Sequence, residues 1–230
     1  DSISRRVYDI PEVTVKARRT PPSVKAASPL QVMNKAEMER MGISEVADAV
    51  RHFSGVSVKD YGGIGGLKTI SVRSLGAQHT GVIYDGVSVS DCQSGQIDIS
   101  RFSLTNISQL TLTIGQSDDI YQSARAFASA GVLHIQTDRP DFSEQNWHIN
   151  TTLKAGSFGL ANPSVLYSQQ LSQRTSFSLY GDYLRADGNY PFKLWNGNQL
   201  IDSKRNNSDI QTYRAEATLY TSFTPKQDLQ

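Results

Sequence analysis

The chain has 230 residues, enough for one large domain or two smaller ones, and 23 Lys and Arg against 22 Asp and Glu leave a net charge of +1. That balance excludes a strongly basic nucleic-acid face and an acidic tail, so no nucleic-acid partner is expected. No run of about 18 apolar residues occurs, which excludes a membrane-spanning helix but not a membrane β-barrel, whose signal is weak alternation. No basic-then-apolar leader opens the chain, which suits a mature secreted protein and a cytosolic one alike. Cys92 is the single cysteine, so a disulfide within the chain and a Cys-based zinc site are excluded, and packing is the ordinary role for its thiol.

Residues 1–28 are basic, carry Pro11, Pro21 and Pro22, and hold few large apolar groups, the composition of a linker or tether. Inside them, Pro11, Glu12, Val13, Thr14, Val15, Lys16 and Ala17 alternate with the period of a strand, between Arg5-Arg6 and Arg18-Arg19. A strand with nothing to bury against keeps its backbone donors and acceptors open, as a partner adding a strand requires. A frayed terminus has the same composition.

From Leu30 to His52 the sequence is helix-prone. A first helix over 36–40 should end at Gly42, and Ser44 should cap a second with Ala47, Val50 and Phe53 on its apolar face. Short strands separated by glycines follow over 55–61, 67–76, 80–91, 107–115 and 130–138. The alternation from Ile107 to Ile114 predicts a half-buried strand, and the Ala-rich stretch 123–129 is ambiguous between helix and loop. Residues 29–139 thus predict an α+β domain with a small mixed sheet and short helices.

After Phe142 four segments of about ten residues alternate clearly: 147–156, 162–172, 174–188 and 210–224. Phe177, Leu179 and Tyr183 share one face, and Ser176, Ser178, Tyr180 and Asp182 the other. Tyr213, Ala215, Ala217, Leu219 and Phe223 likewise oppose Arg214, Glu216, Thr218, Tyr220 and Ser222. The turn near Ser172 is short, and the connection from Ala186 to Ser208 is long and rich in Gly and Asn. Short turns on one rim and long loops on the other mark an outer-membrane barrel. A soluble antiparallel sandwich explains the alternation equally well, though not the loop asymmetry.

No catalytic constellation emerges, so an enzyme, a cofactor and a metal site are not expected. His52, His79, His134 and His148 lack metal-ligand spacing, and Gly86–Ser90 lacks the closing glycine of a nucleophile elbow. Gly62–Gly66 has four glycines in five positions but neither a phosphate-loop ending nor a dinucleotide register; it reads as an exposed loop with backbone groups free to meet a ligand. Asp85, Asp91 and Asp98 are spread rather than paired.

The order of these pieces resembles the TonB-dependent outer-membrane transporters, in which an N-terminal plug is folded inside a large β-barrel. The plug signatures of that family are matched by Val50-Arg51-His52-Phe53-Ser54-Gly55-Val56, by Ile70-Ser71-Val72-Arg73-Ser74, and by Val82-Ile83-Tyr84-Asp85-Gly86-Val87. Its closing signature is matched by Ala130-Gly131-Val132-Leu133-His134-Ile135-Gln136-Thr137. The resemblance is strongest over residues 10–140. It departs at Ser74, which replaces a glycine, at Ile107–Gln116, where both acidic positions of the family pattern are lost, and at Tyr121–Gly131, a weak match.

The resemblance implies a Ton box at Pro11–Ala17 with a tether to residue 28, a plug over 29–139, and about four strands of an incomplete transmembrane barrel over 140–230. Four strands cannot close, since a barrel holding a plug needs about 22, so the chain reads as an N-terminal part of a longer transporter. The implied activity is import of a scarce, bulky nutrient across the outer membrane of a Gram-negative bacterium. The Ton box, in the periplasm, would recruit TonB and its inner-membrane energising complex. Outer-membrane lipid and a small-molecule nutrient are the other implied partners, and cobalamin, siderophores and haem-like molecules are the cargo of the most similar branch. Two alternatives stay open: a glycan importer of the same fold working with a surface lipoprotein, and a non-transporting surface-binding protein. Ligand contacts are expected from the plug loops, at Lys59, Asp60, Tyr61, Gly63 and Gly65 and at Asp91, Gln93, Ser94 and Gln96. Arg73 is expected either to pair with a barrel carboxylate or to be an ordinary surface arginine. Phe177, Leu179, Leu219 and Phe223 are expected to face lipid, with Tyr220 facing the plug, where substitution should be milder.

Overall fold

The structure is a computed structural model that describes residues 30–115, 122–143, 145–224 and 227–229; the strand expected at Pro11–Ala17 and its tether lie outside the described residues. Seven strands run through the N-terminal part: β1 (Leu30–Asn34), β2 (Val56–Asp60), β3 (Lys68–Val72), β4 (Thr80–Tyr84), β5 (Val87–Val89), β6 (Ile107–Ile114) and β7 (Gly131–Thr137). Five of them form a mixed sheet in the order β1-β6-β7-β4-β5, with β4 and β7 parallel and the other pairs antiparallel. The hairpin of β2 and β3 pairs only within itself. Asp85 and Gly86, at φ 46° and 84°, make the two-residue turn between β4 and β5, the positive-φ geometry that an Asp-Gly pair favours.

Among the described residues, three short α-helices, α1 (Lys35–Arg40), α2 (Val46–Arg51) and α3 (Ala124–Phe127), and three 3-10 turns complete this part. Asn34 caps α1, its side chain accepting from the Glu37 N–H at 2.9 Å. Gly42 ends it at φ 68°, with Gly42 N bonded to Glu39 O and Ile43 N bonded to Met38 O, a Schellman closure. The cap expected at Ser44 falls one residue later. Glu45 occupies it and makes no side-chain cap bond, because its carboxylate is engaged by Lys68. Residues 124–127, ambiguous in sequence, are helical under a Ser123 cap.

The core lies between the sheet and the first two helices. Ile107, Leu110 and Leu112 of β6, Leu133 and Ile135 of β7, Val82 of β4 and Met38, Val46 and Val50 of the helices are almost wholly buried. Each such side chain contributes about 1.5–3 kcal/mol. Strand β6 is more than half-buried, because α3 covers the second face at Ile83 and Val132, beside Thr113.

The C-terminal part is a meander of long antiparallel strands: β8 (Trp147–Gly156), β9 (Leu160–Gln170), β10 (Thr175–Ala186), β13 (Ile210–Thr224) and the short β14 (Gln227–Leu229). Between β10 and β13 the expected open connection contains a hairpin, β11 (Pro191–Asn196) with β12 (Gln199–Lys204), turned at Gly197. On the same rim β8 and β9 are joined by a tight turn at Ser157–Gly159, so the loop asymmetry read from sequence belongs to one connection of the two.

The two faces of this sheet are inverted relative to a soluble sandwich. Leu179, Leu219 and Tyr213 are 47%, 56% and 75% exposed, whereas Tyr180 and Tyr220, their neighbours in sequence or strand, are 3% exposed. Ser164, Ser168, Ser178 and Asp182 are buried, while Ile149, Leu153 and Val165 point outward. Trp147, Phe177 and Tyr167 lie toward one end of the outward band, and Tyr183 packs at a tilt against Tyr213 at the other, 4.9 Å between ring centroids. Arg185 and Gln211, paired across the strands, follow beyond. From Thr175 to Arg185 is roughly 33 Å along the strand, or about 25 Å of height at a tilt of about 40°, the thickness of an outer-membrane apolar band. The fold is thus an α+β domain with a mixed sheet, followed by the antiparallel strands of part of a membrane barrel. Phe223 carries no described side chain.

Candidate functional site

Polar bonds fasten the N-terminal domain to the buried face of the sheet. Glu216 on β13 accepts from Tyr84 OH at 2.7 Å and from Asn106 Nδ2 at 3.0 Å through one oxygen, Oε2. Tyr84 is positioned by the β4–β5 turn and by stacking on Phe102, 5.3 Å between centroids. Burial, together with the Glu216 carboxylate, raises the Tyr84 hydroxyl above its ordinary range, so it is a committed donor. Tyr180 OH bonds to Ser103, and Lys154 Nζ donates to Ser44 O at 3.1 Å. Asp182 accepts from Tyr180 at 3.0 Å and from Arg214 at 3.3 Å. Near the far end of β13, the Arg139 guanidinium lies 5.2 Å from the centre of the Tyr220 ring. Tyr220 is therefore a packed position, and the milder substitution expected there is not what its burial supports.

A crevice of about 760 Å³ opens between the two parts. Lys68, Asp98 and Arg101 line it from one side, and Lys154, Arg214 and Glu216 from the other. Lys68 is buried and pairs with Glu45 and, at 3.8 Å, with Asp60, while its backbone N–H donates to Asp98.

The expected ligand loops take up two separate turns. In the first, the Asp60 carboxylate accepts from the backbone N–H of Gly62 at 3.0 Å and of Gly63 at 2.7 Å. Desolvation pushes the Asp60 pKa up, but those two donors, Lys68 and Arg51 outweigh it and hold the carboxyl below its usual range. The backbone groups of this loop are thus partly spent on the loop itself rather than free, since Gly66 N also bonds to Gly63 O and Tyr61 N to Leu67 O. Lys59 and Tyr61 are exposed, and Gly65 packs against Ile210 so closely that a Cβ there would lie 2.1 Å from it. In the second turn, Asp91 accepts from Ser94 N at 2.7 Å, and Ser94 Oγ from Gln96 N at 3.2 Å. Hydrogen bonds from Ser94 and from the Gln93 backbone, with Arg101 nearby, lower the Asp91 pKa. Arg125 donates to Gly95 O at 3.0 Å. Ile64 and Gly65 of the first turn line the crevice, and Arg101 links the second turn to it. Cys92 in that turn is exposed rather than packed.

Arg73 is exposed at φ 51°, and its guanidinium makes no hydrogen bond or ion pair among the described residues. Ser74 follows at φ 60°, so the residue standing where the family pattern has glycine adopts a glycine-like backbone. The fastening residues Tyr84, Ser103, Asn106, Tyr180 and Glu216 were missed as a site. Tyr180 and Glu216 gave one signal, their place on the strand face opposite the apolar one; Tyr84, Ser103 and Asn106 gave none.

A folded domain bonded to the polar inner face of a sheet with an apolar outer face is the architecture of a plugged membrane barrel. Residues 22–129 match the family described as the TonB-dependent receptor plug domain. The chain carries the plug domain of the TonB-dependent receptor family, followed by antiparallel strands of the same receptors' barrel fold. Among solved structures, the pyoverdine outer-membrane receptor FpvA of Pseudomonas aeruginosa superposes with a TM-score of 0.63 at 13% identity, over 88% of this chain and 26% of that one. The copper transporter OprC gives 0.62 at 17% identity, over 85% and 28%. The siderophore receptor PirA of Pseudomonas aeruginosa gives 0.58 at 18% identity, over 86% and 32%. The chain therefore spans a third or less of these receptors' length and shares their fold.

Proposed function

We propose that this chain is the gating part of a transporter that imports a scarce, bulky nutrient through the outer membrane with energy relayed by TonB. The observation that carries the reading is the plug bonded by Tyr84 and Asn106 to Glu216, on a wall whose other face is apolar. Pro11–Ala17 is the Ton box in the periplasm, and TonB adds a strand to it. Lys59, Asp60 and Tyr61 with Gly63 and Gly65, and Asp91, Gln93, Ser94 and the half-buried Gln96, form the ligand face, suited to a polar ligand of mixed charge such as a cobalamin, siderophore or haem-like molecule. Arg73 pairs with a wall carboxylate outside the described strands. A tight site releases its ligand only when remodelled, so capture at the loops and pulling at the terminus are coupled through the plug.

The test is Thr14→Pro in the full-length receptor, which removes a backbone donor and fixes φ in the segment TonB pairs with. Whole cells are given cobalamin, haem and ferric siderophores in turn. Energised uptake of the molecule that binds should be abolished by Thr14→Pro with equilibrium binding unchanged, and Thr14→Ala should be tolerated. Undiminished uptake by the proline variant removes the Ton-box reading.

A further inference from the structure

Among the described residues, strand β1 is the first element and an edge of the plug sheet, paired only with β6. Force arriving from the N-terminal side therefore loads β1 before any other described element. Two features decide how far a displacement of β1 travels. Behind it, Lys35 pairs with Asp138 at 2.6 Å, tying the start of α1 to the exit from β7, and Asn34 caps α1. Beside it, the carboxamide of Gln31 grips both backbone groups of Ser54: Oε1 accepts from Ser54 N at 2.6 Å, and Nε2 donates to Ser54 O at 3.0 Å.

Ser54 lies in the elbow between α2 and β2. The next residue, Gly55, turns the chain at φ 77°, and its carbonyl accepts from Arg73 N at 2.7 Å, closing the β2–β3 hairpin at its base. That hairpin carries the Asp60–Gly66 turn at its other end. A side chain on the edge strand thus holds the base of the hairpin whose tip lines the crevice against Ile210.

We infer that Gln31 is the coupling residue through which displacement of β1 reaches the 61–66 loop. This rests on the proposed function for its biological meaning: the pull comes from TonB and the loop bears ligand. Peeling β1 from β6 breaks five residue pairs, draws Met33 out of the core, withdraws Gln31 from Ser54, and is halted at the Lys35–Asp138 tie, so the loop is unfastened while α1 stays in place.

The test is single-molecule pulling of the full-length receptor in a bilayer by a handle at its N-terminus, so TonB is not needed. A Cys92→Ser background carries an environment-sensitive dye on Tyr61→Cys. The expected result is an early rupture, ahead of the main plug transition, with a simultaneous dye change. In Gln31→Leu the early rupture should persist at lower force and the dye change be lost. In Gln31→Glu, which keeps the acceptor and loses the donor, the dye change should be intermediate. Separately, Cys92→Ser with Val32→Cys and Thr111→Cys, a cross-strand pair within disulfide reach, should lose the early rupture when oxidised and regain it when reduced. A dye response of parental size in Gln31→Leu, an early rupture surviving the closed disulfide, or no early rupture in the parent overturns the inference. Failure of TonB to bind residues 11–17 would instead remove the transport reading and leave these results standing.

Discussion

The plug sheet and the wall sheet are built on opposite solvent rules within one chain. In the plug, Leu110, Leu112 and Leu133 are inside and polar groups gather in the turns. In the wall, Leu179 and Leu219 are outside, and Ser178, Tyr180 and Asp182 are inside. The plug folds by removing apolar area from water. The wall strands are specified by two neighbours, a lipid phase that accepts leucine and a protein surface that supplies donors and acceptors. Alternation alone says that a strand has two faces; only the identity of the neighbours says which face is the interior.

Substitutions that treat the two sheets alike test this contrast. Leu110→Ala, in the plug core, should cost about 2–5 kcal/mol through lost burial and a cavity. Leu219→Ala, on the outward face, should change little, since detergent or lipid still covers the site. Thermal denaturation of the full-length receptor in detergent compares them, and equal losses would place Leu219 in a protein core. Charge gives the converse. Leu179→Arg, near the middle of the outward band, should cost about 2–4 kcal/mol of bilayer stability, and Leu219→Arg, two residues nearer the rim, should cost less. Folding titrations into lipid vesicles measure both.

The seam between the sheets is the next target. Tyr84→Phe removes a donor to the Glu216 carboxylate and leaves Asn106 as its partner. A hydrogen bond to a charged group contributes about 1.5–3 kcal/mol, so the urea midpoint for plug release, read by protease access to the plug, should fall. The same measurement on Ser108→Ala, whose hydroxyl bonds only within the plug, should move it less.

The smallest effect expected is at the Asp60 turn. Its folded pKa is depressed, so the turn's stabilisation is complete above the ordinary value of 3.8 and is lost as pH falls below it. Exchange protection of the Gly62 and Gly63 amides should drop over that acid range, and Asp60→Asn should show no such step.

Much of the plug was legible because its signals are local. Gly42 closes α1 and the Asp85-Gly86 pair turns β4 into β5, each by its own backbone preference. The cap at Glu45 was not, because Lys68, 23 residues away, decides what that region does with its side chains. The faces of β10 and β13 were readable by period, yet the plug–wall seam was not. Tyr84 and Glu216 lie 132 positions apart, and neither has a neighbour in sequence that announces the other. The hairpin at Pro191–Lys204 escaped notice because its Asn196-Gly197-Asn198 run reads as an open loop, although Gly197 and Asn198 together make a two-residue turn. The glycine-rich loop at Gly62–Gly66 showed its glycines, but not that Asp60 spends two of their amides.

The inverted wall is the premise on which the plugged barrel stands, and lipid contact along β10 tests it directly. Single cysteines at positions 176–184, in a full-length Cys92→Ser receptor in bilayers, carry a fluorophore quenched by lipids with nitroxide-bearing chains. Quenching should alternate with period two, strong at 177, 179 and 183 and weak at 178, 180 and 182. Uniform quenching, or strong quenching at 178, 180 and 182, would contradict the account.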